Sequence, residues 1–113
     1  MSKRSDVIYR IPCGNCDSVY IGETSQYLSK RLRQHKHDVS SKNGKTALCQ
    51  HVLDYAHIFK FDDTTVLANE EVSMKRKVRE LIEINKEDKS VNYKSDLTNL
   101  HGAYTHLINL SHT

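Results

Sequence analysis

The fold of this chain turns on residues 6–24, DVIYRIPCGNCDSVYIGET. Asp6 to Ile11 is rich in β-branched and aromatic types and reads as a strand. Pro12 ends that run, and Cys13-Gly14-Asn15-Cys16-Asp17 is turn chemistry. Ser18 to Gly22 reads as a second strand, so the two make a hairpin. Beyond it, Thr24 or Ser25 is placed to cap a helix running to about His37. Leu28 and Leu32, one turn apart, mark its buried stripe, and Arg31 and His35 share a neighbouring face. Asp38 to Lys45, with Asn43-Gly44, is a polar loop. Thr46 caps a shorter helix from Ala47 to about Tyr55, with Leu48, Val52 and Tyr55 as its apolar face. Ile58 to Leu67 has strand formers around Asp62-Asp63, enough for one or two strands. Asn69 is a cap for a long helix from Glu70 to Asn85 that buries Met74, Val78, Leu81 and Ile82. Lys86 to Ser90 is a charged turn, and Val91 to Thr113 reads as an extended piece followed by a helix through Leu107 and Leu110. The expected architecture is α+β: a small antiparallel sheet of about three strands, opened by the N-terminal hairpin and flanked by helices. It forms one domain over residues 6–110, after a flexible segment at 1–5.

At 113 residues, 37% hydrophobic and 27% charged, the composition is that of an ordinary globular domain. No apolar run is long enough to cross a bilayer and no signal-peptide pattern opens the chain, so an intracellular protein without membrane partners is expected. The net charge is only +3. Its distribution is uneven: between Gln26 and Thr46 lie Lys30, Arg31, Arg33, Lys36, Lys42 and Lys45 against the single acid Asp38. Such a stretch can recruit a phosphate backbone, or it can be a solvated helix face.

Three cysteines cannot all pair, and a reducing compartment favours metal binding over disulfides. Cys13 and Cys16 present two thiolates from one tight turn. His51 and His57 supply two nitrogens at ordinary zinc spacing. The alternative is a pair of buried thiols with ordinary histidines, and His35 and His37 compete as ligands by spacing alone. Cys49 would point away from His51 on a helix and reads as a core residue.

Val7-Ile8-Tyr9, then Tyr20-Ile21-Gly22-Glu23-Thr24, then Leu28, Arg31 and His35, resemble the signature of GIY-YIG nucleases. With Cys13 and Cys16 between the motifs, and with Ala47-Leu48-Cys49-Gln50-His51, His57, Arg76 to Ile84 and Asn92 following in order, the chain is most similar to the endonuclease domain of Penelope-like retroelements. The resemblance implies that Tyr9 and Tyr20 flank a scissile phosphate and that Gly22 allows close backbone approach there. It implies that Arg31 stabilises transition-state charge and that His35 orients or deprotonates the attacking water. Glu80 would hold Mg2+ or Mn2+, and Asn92 would support the site from the C-terminal side. Cys13, Cys16, His51 and His57 would hold a structural Zn2+, and Lys30, Arg33 and Lys36 would meet DNA phosphates. Val7 departs from the family's glycine; a valine suits a strand but not a positive φ.

The side chains suit phosphodiester hydrolysis. One carboxylate with several waters is an acceptable magnesium site, and arginine's fork of donors matches a phosphoryl group. Tyrosine is a poor base at its ordinary pKa near 10, so the base stays open among Tyr9, Tyr20 and His35. The implied function is a DNA endonuclease of the nucleus that nicks its target to leave a 3′-hydroxyl primer. Its expected partners are DNA and a reverse transcriptase module in the same polyprotein, with the isolated domain a monomer. Two other readings stay open: an inactive zinc-stabilised DNA-binding or interaction module, and a nuclease of repair or restriction.

Overall fold

The computed structural model describes residues 4–42 and 46–92. Strands β1 (Val7–Pro12) and β2 (Val19–Thr24) form the expected hairpin. A third strand, β3 (Thr65–Asn69), completes an antiparallel sheet in the order β2-β1-β3. Helices α1 (Leu28–Ser40), α2 (Ala47–Tyr55) and α3 (Ser73–Lys86) flank it, and Phe61–Asp63 makes a 3-10 turn before β3. This is the α+β architecture that the sequence indicated.

Val7, Ile8 and Tyr9 are buried in succession because β1 is the central strand and its side chains alternate between two covered faces. On one face Val7, Tyr9, Ile11 and Cys13 pack with Leu28 and Leu32 of α1, Leu48 of α2 and Phe59. On the other, Ile8 packs with Val19 and Ile21 of β2 and Ile84 of α3. Each such buried aliphatic side chain contributes about 1.5–3 kcal/mol over exposure, so the hairpin is anchored from both sides. The register sets Tyr9 opposite Gly22 and Ile11 opposite Tyr20.

Several local expectations give way to contacts made elsewhere in the chain. Thr24 ends β2 rather than capping α1: its hydroxyl accepts from the Gln26 N–H at 3.0 Å, a local turn that occupies the oxygen a cap would need. Helix α1 starts at Leu28, whose N–H donates to the Arg4 carbonyl at 2.8 Å, and continues past His37 to Ser40. Thr46 does cap α2, accepting from the Cys49 N–H at 3.1 Å. Tyr55, expected on the buried face, is 64% exposed.

Asn69 ends β3 instead of capping α3, and its amide donates to the Ser5 and Asp6 carbonyls at 3.1 and 3.4 Å. Helix α3 begins at Ser73; Met74 is half exposed, and the buried positions are Arg76, Leu81 and Ile84. The turn after α3 runs beside β2, with the Val19 N–H donating to Lys89 O at 2.9 Å and the Val91 N–H to Val19 O at 2.8 Å. Among the described residues, no helix is long and apolar enough to cross a membrane. Asn43-Gly44 and the helix expected through Leu107 and Leu110 lie outside the described residues.

Candidate active site and metal centre

The sheet brings Tyr9 and Tyr20 to the α1 face, and α1 delivers His35 between them. The Tyr9 hydroxyl lies 2.7 Å from His35 Nε2. The His35 ring centre is 6.0 Å from that of Tyr9 and 5.4 Å from that of Tyr20, both edge-on, while the two tyrosine rings are 6.4 Å apart. Tyr9 and His35 are fully buried, whereas Tyr20 is only half-buried. His35 therefore faces the core with Leu28 and Leu32, while Arg31 emerges beside them, half-buried.

Burial, and next the nearby Tyr20, hold the Tyr9 phenol well above its ordinary range, against the pull of the Arg31 guanidinium. Burial, reinforced by Arg31, pushes the His35 imidazole down to about 3. At neutral pH Tyr9 thus keeps its proton and His35 has none to spare. The hydroxyl donates to Nε2, which assigns the imidazole as the Nδ1–H tautomer. His35 Nδ1 has no hydrogen-bond partner among the described residues.

Gly22 is required by packing. A Cβ there would lie 2.5 Å from both the Cζ and the hydroxyl of Tyr9, and 3.0 Å from Cε2 of Tyr20. The glycine makes room for both tyrosines, a tighter constraint than the close backbone approach expected of it. Glu80 sits half-buried on α3 one turn after Arg76, close enough for its charge to bear on Tyr9. A single carboxylate suits a magnesium or manganese ion that keeps most of its waters, so Glu80 fits such an ion. Asn92 behaves as a piece of strand: its Oδ1 accepts from the Ile21 N–H at 3.1 Å and its Nδ2 donates to the Ile21 carbonyl at 2.8 Å. It thereby pairs the outer edge of β2 between Tyr20 and Gly22.

A second cluster closes the hairpin loop. The ligand atoms of Cys13, Cys16, His51 and His57 all lie within 4.8 Å of one another. Cys13 Sγ is 3.4 Å from His57 Nδ1, Cys16 Sγ is 3.5 Å from His51 Nε2, and the two nitrogens are 3.1 Å apart. A tetrahedral ion with Zn–S of about 2.3 Å and Zn–N of about 2.0 Å sets sulfur and nitrogen roughly 3.5 Å apart and two nitrogens roughly 3.3 Å apart. These three separations thus match edges of the tetrahedron that zinc takes, and the four side chains could hold that ion. Burial and then His57 push His51 below its ordinary pKa, which keeps its nitrogen free of a proton. Of the competing ligands, His35 is committed to Tyr9 and His37 stands outside the cluster. Cys49 is buried in the core, as expected.

Local backbone geometry makes this cluster. Ala56 adopts a left-handed conformation, φ 54°, which ends α2 and turns His57 back toward His51. The Gly14 N–H then donates to Ile58 O at 2.7 Å, the Ile58 N–H to Asn15 Oδ1 at 2.8 Å, and the Lys60 N–H to Pro12 O at 2.8 Å. A Cβ on Gly14 would meet Ile58 O at 2.8 Å, so the loop and the segment after α2 fit only with glycine there.

Sequence reading missed Arg76, which is 4% exposed. Its guanidinium binds Glu23 at 2.6 Å and Asp6 at 3.3 Å, and donates to the carbonyls of Glu70 and Glu71 at 3.1 and 3.4 Å. No local signal marks it, since its acidic partners lie 53 and 70 residues away. The basic stretch also divides. Lys30 and Arg33 are exposed, and Lys36 leans over Phe61 with Nζ 5.6 Å from the ring centre. Arg33 and Lys36 line a groove with Phe61 and Asp62, whereas Arg31 and Gln34 line another with residues of β2 and α3.

A family model described as the GIY-YIG catalytic domain matches residues 6–93. No curated protein and no solved structure matches the chain significantly.

Proposed function

The chain belongs to the GIY-YIG family of nuclease domains, and on that premise we propose that it is a divalent-metal-dependent DNA endonuclease. The observation that carries the proposal is the Tyr9–His35 hydrogen bond of 2.7 Å, packed against Tyr20 on the face where Arg31 emerges. Arg31 offers two parallel donors to a phosphoryl group whose charge grows in the transition state. Glu80 would hold a magnesium or manganese ion, which would supply further electrophilic charge there. His35, with its pKa near 3, is too weak an acceptor to keep a transferred proton; it fixes the direction of the Tyr9 hydroxyl. Tyr20, the more exposed phenol, is the member of the trio placed to touch the attacking water. Asn92 holds the strand that carries it. Lys30, Arg33 and Lys36 add cations along α1 for the flanking backbone.

The paired cysteines and paired histidines support a place for this domain beside the reverse transcriptase of a Penelope-like retroelement. There it would act in the nucleus, nicking one strand to leave a 3′-hydroxyl as primer. Relaxation of supercoiled plasmid in magnesium or manganese tests the activity. Wild type is expected to nick, and Arg31→Ala to slow nicking by about 10²-fold or more. Glu80→Gln should abolish the response to metal. An inert wild-type protein, zinc-loaded and tried on single- and double-stranded DNA, would leave a binding module instead.

A further inference from the structure

The β2–α1 turn, α1 and α3 enclose a polar groove of about 350 Å3. From α1 it is lined by Arg31 and Gln34, and from α3 by Ser73, Arg76 and Lys77; Glu23 to Gln26 form its floor. Its charge is settled by the buried clamp. Arg76 is taken up by Glu23 and Asp6, one cation against two carboxylates, so the positive charge left to the groove comes from Arg31 and Lys77. Lys77 is exposed and has no ion-pair partner among the described residues. Gln34 Oε1 accepts from Arg31 at 3.1 Å, so the amide's NH2 is the end left to donate. The groove thus offers two cations outside the clamp, neutral donors, and continuity with the arginine at the reacting centre.

Most of the basic stretch points elsewhere. The side chains of Arg31 and Lys36 leave opposite flanks of α1, on either side of the buried row Leu28, Leu32 and His35. Of that stretch only Arg31 faces this groove, and the second cation comes from a helix more than forty residues on, within the separate basic run Lys75-Arg76-Lys77-Val78-Arg79.

We propose that this groove seats a backbone phosphate flanking the scissile one on the strand being cut, with Lys77 as its cation and Gln34 and Ser73 as neutral donors. The proposal rests on the nuclease reading for the identity of the ligand and deepens it by fixing which side of Arg31 the strand leaves from.

The test is binding of a short DNA duplex by fluorescence anisotropy, without added divalent metal, over a series of salt concentrations. It compares zinc-loaded wild type with Lys77→Ala, Lys77→Arg and Lys86→Ala. Lys86 ends α3 on another face and serves as a control of equal charge. Lys77→Ala is expected to weaken binding and to flatten the dependence of log K on log salt by about one unit, which Lys77→Arg restores. In nicking assays the same variant should raise KM with little change in kcat. Wild-type affinity and slope in Lys77→Ala, or an equal loss in Lys86→Ala, would overturn the assignment. The two readings fail separately. An inert wild type whose Lys77→Ala variant still flattens the salt slope loses the nuclease and keeps the phosphate site; an active wild type whose variant binds normally keeps the nuclease and loses the site.

Discussion

Tyr9 and Gly22 are one fitted pair, since a methyl group at position 22 would sit 2.5 Å from the Tyr9 hydroxyl. Gly22→Ala is expected to cost about 1–3 kcal/mol in urea melts, because an extra carbon in a packed core forces its neighbour aside. Nicking should fall further than stability explains, as the tilted Tyr9 leaves His35 Nε2 without its donor. His35 also carries a pH signature. Unfolded, an imidazole takes its proton near pH 6.5; folded, this one takes it near 3. Between those limits the unfolded chain binds the extra proton, so His35's contribution is complete above about pH 6.5 and is lost as pH falls toward 3. Zinc-saturated wild type should thus lose stability faster on acidification than His35→Phe, by at most about 1.4 kcal/mol per pH unit. Parallel stability curves for the two proteins would contradict this origin. The tyrosines, Arg31 and His35 were legible because their spacing matches a family signature. That His35 faces inward was not, since it depends on which flank of α1 meets the sheet.

The elements read well from sequence where a local group does what its chemistry suggests, as Thr46 does in capping α2. They read poorly where that group is drawn off: Thr24 into a turn, Asn69 into contacts with Ser5 and Asp6. The Cys2His2 cluster was legible from spacing, because one tight turn supplies both cysteines and α2 with the residues just after it supplies both histidines, but the left-handed Ala56 that aims His57 leaves no sequence mark. Chelation of the metal, or His57→Ala, should lower the melting temperature by at least about 8 °C, equivalent to 1–2 kcal/mol or more in a domain of this size. Zinc should no longer protect the variant in calorimetry. The helix α3 offers a contrast between two arginines. Arg76→Met leaves two half-buried acids without their cation and is expected to cost about 2–4 kcal/mol. Arg79→Met removes a pair with Glu83 in which the arginine side chain is 44% exposed, and should cost under about 1 kcal/mol. Comparable losses in the two variants would show that the clamp adds nothing beyond a surface pair.

Over the whole molecule, the run from Asp6 to Ile11 foretold a strand, but its burial and central place came from pairing with β3, some sixty residues later, which no local pattern encodes. The strands and α1 supply the tyrosines, His35 and Arg31, and α3 supplies Glu80, so one chain assembles one set. Supercoiled plasmid should therefore accumulate as the nicked circle before any linear product, with the linear fraction rising as protein is added. Simultaneous appearance of linear DNA at the lowest concentrations would mean that paired sites act together. Among the described residues the last piece of the assembly is Asn92, whose amide stands in for a peptide along β2, 71 residues after Ile21. Synthesis at roughly 5–20 residues per second puts about 4–14 s between the emergence of those two residues. For that interval the edge of β2 beside Tyr20 remains open on the ribosome, a nascent strand still able to pair with a neighbour. The clock of translation thus sets the earliest moment at which this edge can be closed.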